Sequence, residues 1–364
     1  MRKKYNINPD DKTIIADITK TLDSHTKEWY GNSATLIPTS VEFRIYKSSF
    51  FLRFRVQVST GNKFILVKIR RNATMQSLAQ AINETNIHAN SEIEYQSLIK
   101  VSDFFTNSHE GLSMVRPLMY LDHWHAIVME EFQGTSLYNL LINCKSLQGR
   151  KDAIKKLLDA GKKTGRWLYL FHNSINIPTH QKLDSHITSE VSRYTKLLEV
   201  ASKGSITSPN LQALFSAKLS QINTSGPFFS LTHGDMSCNN VLYSTNGEVC
   251  IIDIQGKPSP VFSDLGLILI HPDTLKIQVF TLGFFFPKKL LSTYREAVLV
   301  GYFSNKVENR PLVNIYCSLM VLDKWARYED NTTRHHGAKK LMAILTAPFT
   351  RFYFRKRLEN YLHK

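Results

Sequence analysis

The most informative stretch of the chain is LTHGDMSCNNVLYSTNGEVCIIDIQG, where Asp235 is followed five residues later by Asn240 and, past a hairpin signal, by Asp253. Three side chains ending in oxygen are thereby delivered around one short pair of strands. Phosphoryl transfer asks for such a set: a carboxylate to orient an acceptor hydroxyl and take its proton, and hard oxygen ligands to hold Mg2+ against phosphates. Asp235 suits the first task. The neutral carbonyl of Asn240 and the anionic carboxylate of Asp253 suit the second. The pattern H-G-D-x-x-x-x-N arises by chance in roughly one chain in a thousand of this length, and a second aspartate at a strand end makes accident remoter. The bland alternative is a tight turn at His233-Gly234-Asp235, with Asp235 accepting backbone hydrogen bonds and Asn240 capping a loop.

Elements able to position these residues are legible on either side. Residues 13–30 read as a helix, and after Pro38 the runs VEFRIYKSSF, FLRFRVQVST and KFILVKIRR are rich in β-branched and aromatic residues, with Gly61-Asn62 between the second and third. They predict three antiparallel strands. Ile93, Leu98, Val101 and Phe105 then fall at roughly helical intervals, and HAIVMEEF returns to a strand pattern. Gly134 ends that strand, and the long helical pattern DAIKKLLDAGKKTGRWLYLFH follows. The domains predicted are an N-terminal helical extension over 1–38, a sheet-containing domain over 39–134 and a mostly helical domain over 135–364. NVLYST and EVCIIDI, linked by Asn246-Gly247, predict a hairpin inside the last.

In its motifs and their order, the chain resembles the aminoglycoside phosphotransferase-like, choline kinase-like branch of the protein-kinase-like superfamily. The resemblance implies an α+β, two-lobed protein-kinase-like fold: an N-terminal antiparallel sheet with one main helix that binds nucleotide, and a larger, mostly helical C-terminal lobe that binds the acceptor. It implies ATP and Mg2+, with Asp235 as catalytic base and Asn240 and Asp253 as metal ligands. Lys68 in ILVKI looks like the lysine that contacts the nucleotide phosphates, and Glu94 in EYQSL like its helix partner. Glu130, Glu131 and Phe132 in IVMEEFQGTSL look like the hinge that receives adenine. Asp264 in VFSDLGLILI resembles the aspartate that braces the catalytic loop, with His233 as further support. The chain also departs from the pattern. YKSSF lacks G-x-G-x-x-G, so phosphate contacts there fall to backbone amides, Lys47, Ser48 and Ser49. Asp253 is followed by Ile254 and Gln255 rather than Phe and Gly, His233 by Gly234 rather than Arg, and there is no A-P-E, all of which favour a small-molecule or glycan acceptor over a protein. Without an arginine after His233, no phosphorylated-loop switch is expected.

Composition narrows the acceptor. The net charge of +16 over 364 residues is uneven, with 16 Lys+Arg against 14 Asp+Glu in residues 1–134 and 30 against 16 in residues 135–364. A basic excess attracts anions and repels polycations. The leading expectation is therefore a sugar hydroxyl on an anionic or lipid-linked glycan; the alternatives are a small-metabolite kinase (choline-like, amino alcohol or aminoglycoside) and a catalytically silent nucleotide-binding module. IQVFTLGFFFPKKLL and FTRFYFRKRLENYLHK set aromatic clusters beside lysine and arginine, a mixture suited to peripheral contact with an anionic membrane surface. No nucleic-acid motif accompanies the charge, so nucleic acid is not expected as a partner. No uncharged apolar run of about 18 residues occurs and MRKKYNINPDDK has no apolar core, which predicts a cytoplasmic address, with membrane contact at the inner face. Cys144, Cys238, Cys250 and Cys317 show no C-x-x-C spacing and read as buried thiols.

Overall fold

The β-branched and aromatic run between Thr35 and Arg70 folds as three antiparallel strands, β1 (Thr35–Ile45), β2 (Ser49–Val58) and β3 (Gly61–Arg70), in a computed structural model. The structure describes residues 8–106, 111–146, 148–174, 181–304, 309–334 and 336–363. The chain divides after Gln133 into two compact units. In the first, the later strands β4 (Leu112–Met114), β5 (Pro117–Leu121) and β6 (Ala126–Glu130) follow, and the five-stranded sheet runs β1-β2-β3-β6-β5. Alternation in β2 buries Leu52, Phe54 and Val56 and turns Arg53, Arg55 and Gln57 outward, as a sheet with one covered face requires.

Two details differ from the sequence reading. The β2–β3 turn is Ser59-Thr60, because Val58 pairs with Gly61 and Asn62 already opposes Gln57. β1 starts ahead of Pro38, and its pairing with β2 lapses between Ile37 and Glu42, where proline has no N–H to give to a ladder. Residues 9–30 form α1 (Pro9–Tyr30), whose Ile18 and Leu22 enter the same core as β2 and β3, so this helix belongs to the sheet-containing unit. Asn8 caps it by accepting the Asp11 N–H at 2.7 Å, with Pro9 in the first turn. The buried Asp11 carboxylate in turn accepts the Leu78 N–H at 2.9 Å and so caps α2 (Leu78–Ile82). α3 (Thr85–Thr106) completes the unit's helices.

The second unit opens with β7 (Thr135–Ser136), α4 (Leu137–Asn143), α5 (Arg150–Ser174), α6 (Leu183–Ala201) and α7 (Ser208–Leu219). The strands β8 (Phe229–Thr232), β9 (Val241–Tyr243), β10 (Val249–Ile251) and β11 (Lys257–Pro260) follow; β9 pairs with β10 and β7, and β8 with β11. The β9–β10 turn is closed by the Ser244 N–H to the Glu248 carbonyl at 2.9 Å, with Gly247 left-handed at φ +83. α8 (Phe262–Thr274), α9 (Lys276–Phe280), α10 (Lys288–Phe303), α11 (Arg310–Thr333) and α12 (Gly337–Leu362) end the chain. All four cysteines are buried and none is in a disulfide.

α5 and α10 approach closely enough to exclude side chains at their crossing. A Cβ on Gly165 would stand 2.0 Å from the Val298 carbonyl oxygen, and one on Gly301 would stand 1.9 Å from the Lys162 carbonyl oxygen. Backbone cannot yield as a flexible side chain can, so the helices would have to part. We predict that Gly165→Ala destabilises the protein by about 2–4 kcal/mol despite its better helix propensity, read as a lowered urea midpoint with an unchanged slope.

Candidate active site

The loop that leaves β8 at Thr232 and enters β9 at Val241 carries His233, Asp235 and Asn240, and its shape is dictated by a single buried carboxylate. Asp264, in the first turn of α8, has no exposed surface. Its Oδ2 accepts the His233 N–H at 2.6 Å and its Oδ1 accepts the Gly234 N–H at 3.0 Å. Oδ2 also accepts from Nε2 of His172 at 3.0 Å, and Nδ1 of that ring accepts from the Tyr302 hydroxyl at 3.0 Å. Burial alone would raise the Asp264 carboxyl, but the hydrogen bonds it accepts, from the His172 ring first and then from the His233 backbone, bring it below the ordinary aspartate value. Gly234 is left-handed at φ +81, and a Cβ there would press on Gln255 at 3.3 Å, so the turn calls for glycine.

His233 binds the loop to the end of β10. Its Nε2 donates to the Ile252 carbonyl at 2.8 Å and its Nδ1 accepts the Asp235 N–H at 3.2 Å. The Ile252 N–H donates to the Asn240 carbonyl at 3.0 Å, which sets Asp253 one residue from the Asn240 backbone. Asn240 donates through Nδ2 to the Asp235 carbonyl at 2.9 Å, leaving its own side-chain oxygen for a cation. Asp253 is half-buried and left-handed at φ +66, a conformation that aspartate tolerates better than most residues. Asp235 keeps an exposed edge, yet partial desolvation raises its carboxyl, with Asp253 adding to the rise and His233 and Lys324 opposing it. Asp235, Asn240 and Asp253 thus share one corner. Among the described residues no group of three or more His, Cys, Asp or Glu side chains could hold a metal. A neutral amide oxygen and one carboxylate, with open positions left for phosphate and water, nevertheless fit Mg2+, which needs few protein ligands.

In the first unit Lys68 of β3 and Glu94 of α3 form a buried ion pair, Nζ to Oε1 at 2.6 Å. Sequence reading missed its third member: Arg70, two residues along β3, meets the other Glu94 oxygen at 2.6 Å. One carboxylate therefore faces two cations, one on each oxygen. In the hinge segment, the Glu130 and Glu131 N–H groups donate to the Arg116 and Phe64 carbonyls, both engaged within the sheet unit. Their carboxylates pair with Lys63 and Arg53 at 2.8 Å each. Phe132 is thereby left as the segment's candidate backbone donor. Lys47 and Ser48 form the exposed tip of the β1–β2 turn, whereas the Ser49 side chain is buried at the start of β2 and does not present its hydroxyl to solvent.

Beside Asp235 opens a cavity of about 630 Å3, bounded by α6, α11 and the β8–β11 ribbon. Its charged residues on α6 and α11 escaped sequence reading. The only available signal was an acidic and basic cluster, Asp323, Lys324 and Arg327, interrupting the apolar run of α11.

The sequence matches no protein-family model and no curated protein. Solved structures do match. A protein of Ralstonia eutropha JMP134 assigned as an aminoglycoside phosphotransferase aligns over 94% of this chain and 98% of its own, with a TM-score of 0.53 and 13% identity. An amicoumacin kinase in complex with AMP-PNP and Ca2+ aligns over 96% of each chain, with a TM-score of 0.51 and 12% identity. At these identities the likeness is one of fold, and the fold is the α+β protein-kinase-like one.

Asp264 organises the loop, so its loss has a defined signature. We predict that Asp264→Asn, whose amide nitrogen cannot accept, destabilises the protein by about 2–4 kcal/mol. Because the folded carboxyl titrates below its unfolded value, its contribution is complete above an ordinary aspartate pKa of about 4 and is lost as pH falls through the lowered one. Denaturation between pH 7 and pH 3 should show that acid loss in the natural protein and a flatter profile in the variant.

Proposed function

We propose that this chain is an ATP-dependent phosphotransferase that moves the γ-phosphoryl group to a hydroxyl of a small, non-protein acceptor. The observation that carries this reading is the placement of Asp235 at the cavity, with Asn240 and Asp253 held beside it by the His233 and Asp264 hydrogen bonds. In this reading the acceptor hydroxyl donates to Asp235, its oxygen bonds to the γ-phosphorus as the bond to the bridging oxygen breaks, and the proton passes to the carboxylate. Partial desolvation, by raising the Asp235 carboxyl, makes it the better proton acceptor. Mg2+, when bound, would neutralise phosphate charge, and Asn240 and Asp253 would hold it. Lys68, with Glu94 and Arg70, would meet the nucleotide phosphates, and the Phe132 N–H would meet adenine.

A small molecule takes precedence over the lipid-linked glycan expected from sequence. A cavity of about 630 Å3 suits one compact ligand. The fold is also that of an amicoumacin kinase and of a protein assigned as an aminoglycoside phosphotransferase. With an acceptor in hand, Asp235→Asn should lower kcat by about 10^2–10^4 while ATP affinity changes little. Asp253→Ala should additionally weaken nucleotide binding in the presence of Mg2+ but not in EDTA. Undiminished turnover by Asp235→Asn would sink the assignment.

Peripheral contact with an anionic bilayer is a separate part of the proposal. No helix among the described residues is long and apolar enough to cross a membrane. The C-terminal half of α12 buries Tyr353, Phe354, Leu358 and Tyr361, yet Leu341, Leu345, Phe349 and Phe352 form an outer stripe at helical spacing, each about 60% exposed. A helix apolar on both faces asks for a second neighbour. α12 carries six Lys and Arg against one Glu, so a second copy would be repelled where anionic lipid would be attracted. Phe284, 84% exposed, follows Gly283, whose position abuts Tyr353 and Arg357 of the same helix. The protein should co-sediment with phosphatidylglycerol vesicles but not phosphatidylcholine ones, and Leu345→Ser with Phe349→Ser should abolish this. Equal binding to both lipids, or a dimer that covers the stripe, would count against it.

A further inference from the structure

The charges lining the cavity beside Asp235 do not balance within the protein. On α6, Arg193 pairs with Glu190 and donates to the Tyr194 hydroxyl at 2.7 Å. On α11, Arg327 pairs with Asp323 at 2.7 Å. These four side chains neutralise one another. A further titratable ring at the wall, His186, has its pKa lowered by burial. What remains is Asp235, committed to the acceptor hydroxyl, and two lysines, Lys257 on β11 and Lys324 on α11. Among the described residues neither ammonium has an ion-pair or hydrogen-bond partner. Lys324 is half-buried on α11, and the carboxylate it acts on is that of Asp235. Leu267, Tyr316, Leu319 and Met320 supply the apolar part of the wall.

We propose, building on the phosphotransferase reading, that the acceptor carries an anionic oxyacid group, carboxylate or phosphate, which Lys324 and Lys257 bind while its hydroxyl faces Asp235. An ammonium with three donors and a flexible stem suits either oxyanion. The cavity discriminates as well as attracts: a cationic acceptor would meet two lysines against the single unpaired carboxylate of Asp235, with those of Glu190 and Asp323 already engaged. Lys324 is thus a specificity-determining residue of the acceptor site. Its charge also reaches Asp235, so an acceptor anion that neutralises it would leave the base a stronger proton acceptor.

The test is calorimetric titration of the full chain, saturated with Mg-AMP-PNP, with four probes of one carbon skeleton: gluconate, glucose 6-phosphate, glucose and glucosamine. At least one anionic probe should bind about tenfold more tightly than glucosamine, with gluconate and glucose 6-phosphate separating carboxylate from phosphate. Lys324→Gln should reduce that preference to within about twofold and Lys324→Arg should restore it. A merely structural Lys324 would instead shift all four probes together. Preference for glucosamine, equal binding of all four, or no binding of either anion at millimolar concentration overturns the proposal. Failure to bind Mg-AMP-PNP in the first place would strike the phosphotransferase reading instead, since anion binding by the lysines does not require nucleotide.

Discussion

The buried carboxylate of Asp264 is the constraint on which the second unit's chemistry depends. Two consecutive N–H groups, from His233 and Gly234, converge on its two oxygens, and a loop that must satisfy both has little freedom left. Gly234 can then adopt its left-handed turn only as glycine, and His233 reaches the end of β10 with its ring. A charge with no exposed surface is costly unless every oxygen is matched by a donor. Here two of the three donors belong to the loop itself, so unmaking the loop would leave Oδ1 without a donor. Stability and positioning of Asp235 are one requirement rather than two.

That dependence extends outward through His172. The ring that donates to Asp264 stands on α5, and the hydroxyl that fixes the ring's other nitrogen stands on Tyr302 of α10. Register between these helices is set where Gly165 and Gly301 let backbone meet backbone. A crossing without side chains cannot slide as an oily interface can, because carbonyl oxygens rather than methyl groups define the contact. Distant packing is therefore converted into the placement of one hydroxyl and, through it, of the loop.

What could be read in the sequence was what depends on neighbours in the chain. Alternation in FLRFRVQV announces a strand with one covered face, and H-G-D-x-x-x-x-N followed by a hairpin keeps its chemistry within about 20 residues. Lys68 with Glu94 was legible only through resemblance, since nothing local to a strand lysine names its partner. Arg70 was invisible for the same reason, and so was the burial of the Ser49 side chain. The β2–β3 turn fell two residues early because cross-strand register outweighed the turn preference of Gly61-Asn62. A surplus of charge could be counted from composition, but not which lysines lack partners. That is decided by the i, i+4 pairing of Asp323 with Arg327 and the i, i+3 pairing of Glu190 with Arg193, which spend two arginines on their own helices.

The left-handed backbone at Asp253 has a consequence for how such a protein can change over time. Among ordinary side chains, asparagine and aspartate accept that conformation with least strain, and glycine accepts it freely. A single-base change from an aspartate codon can reach either replacement. The backbone would accommodate both, while the anionic oxygen proposed to hold the cation would be lost. The local backbone therefore places no obstacle of its own in the way of losing the proposed cation ligand.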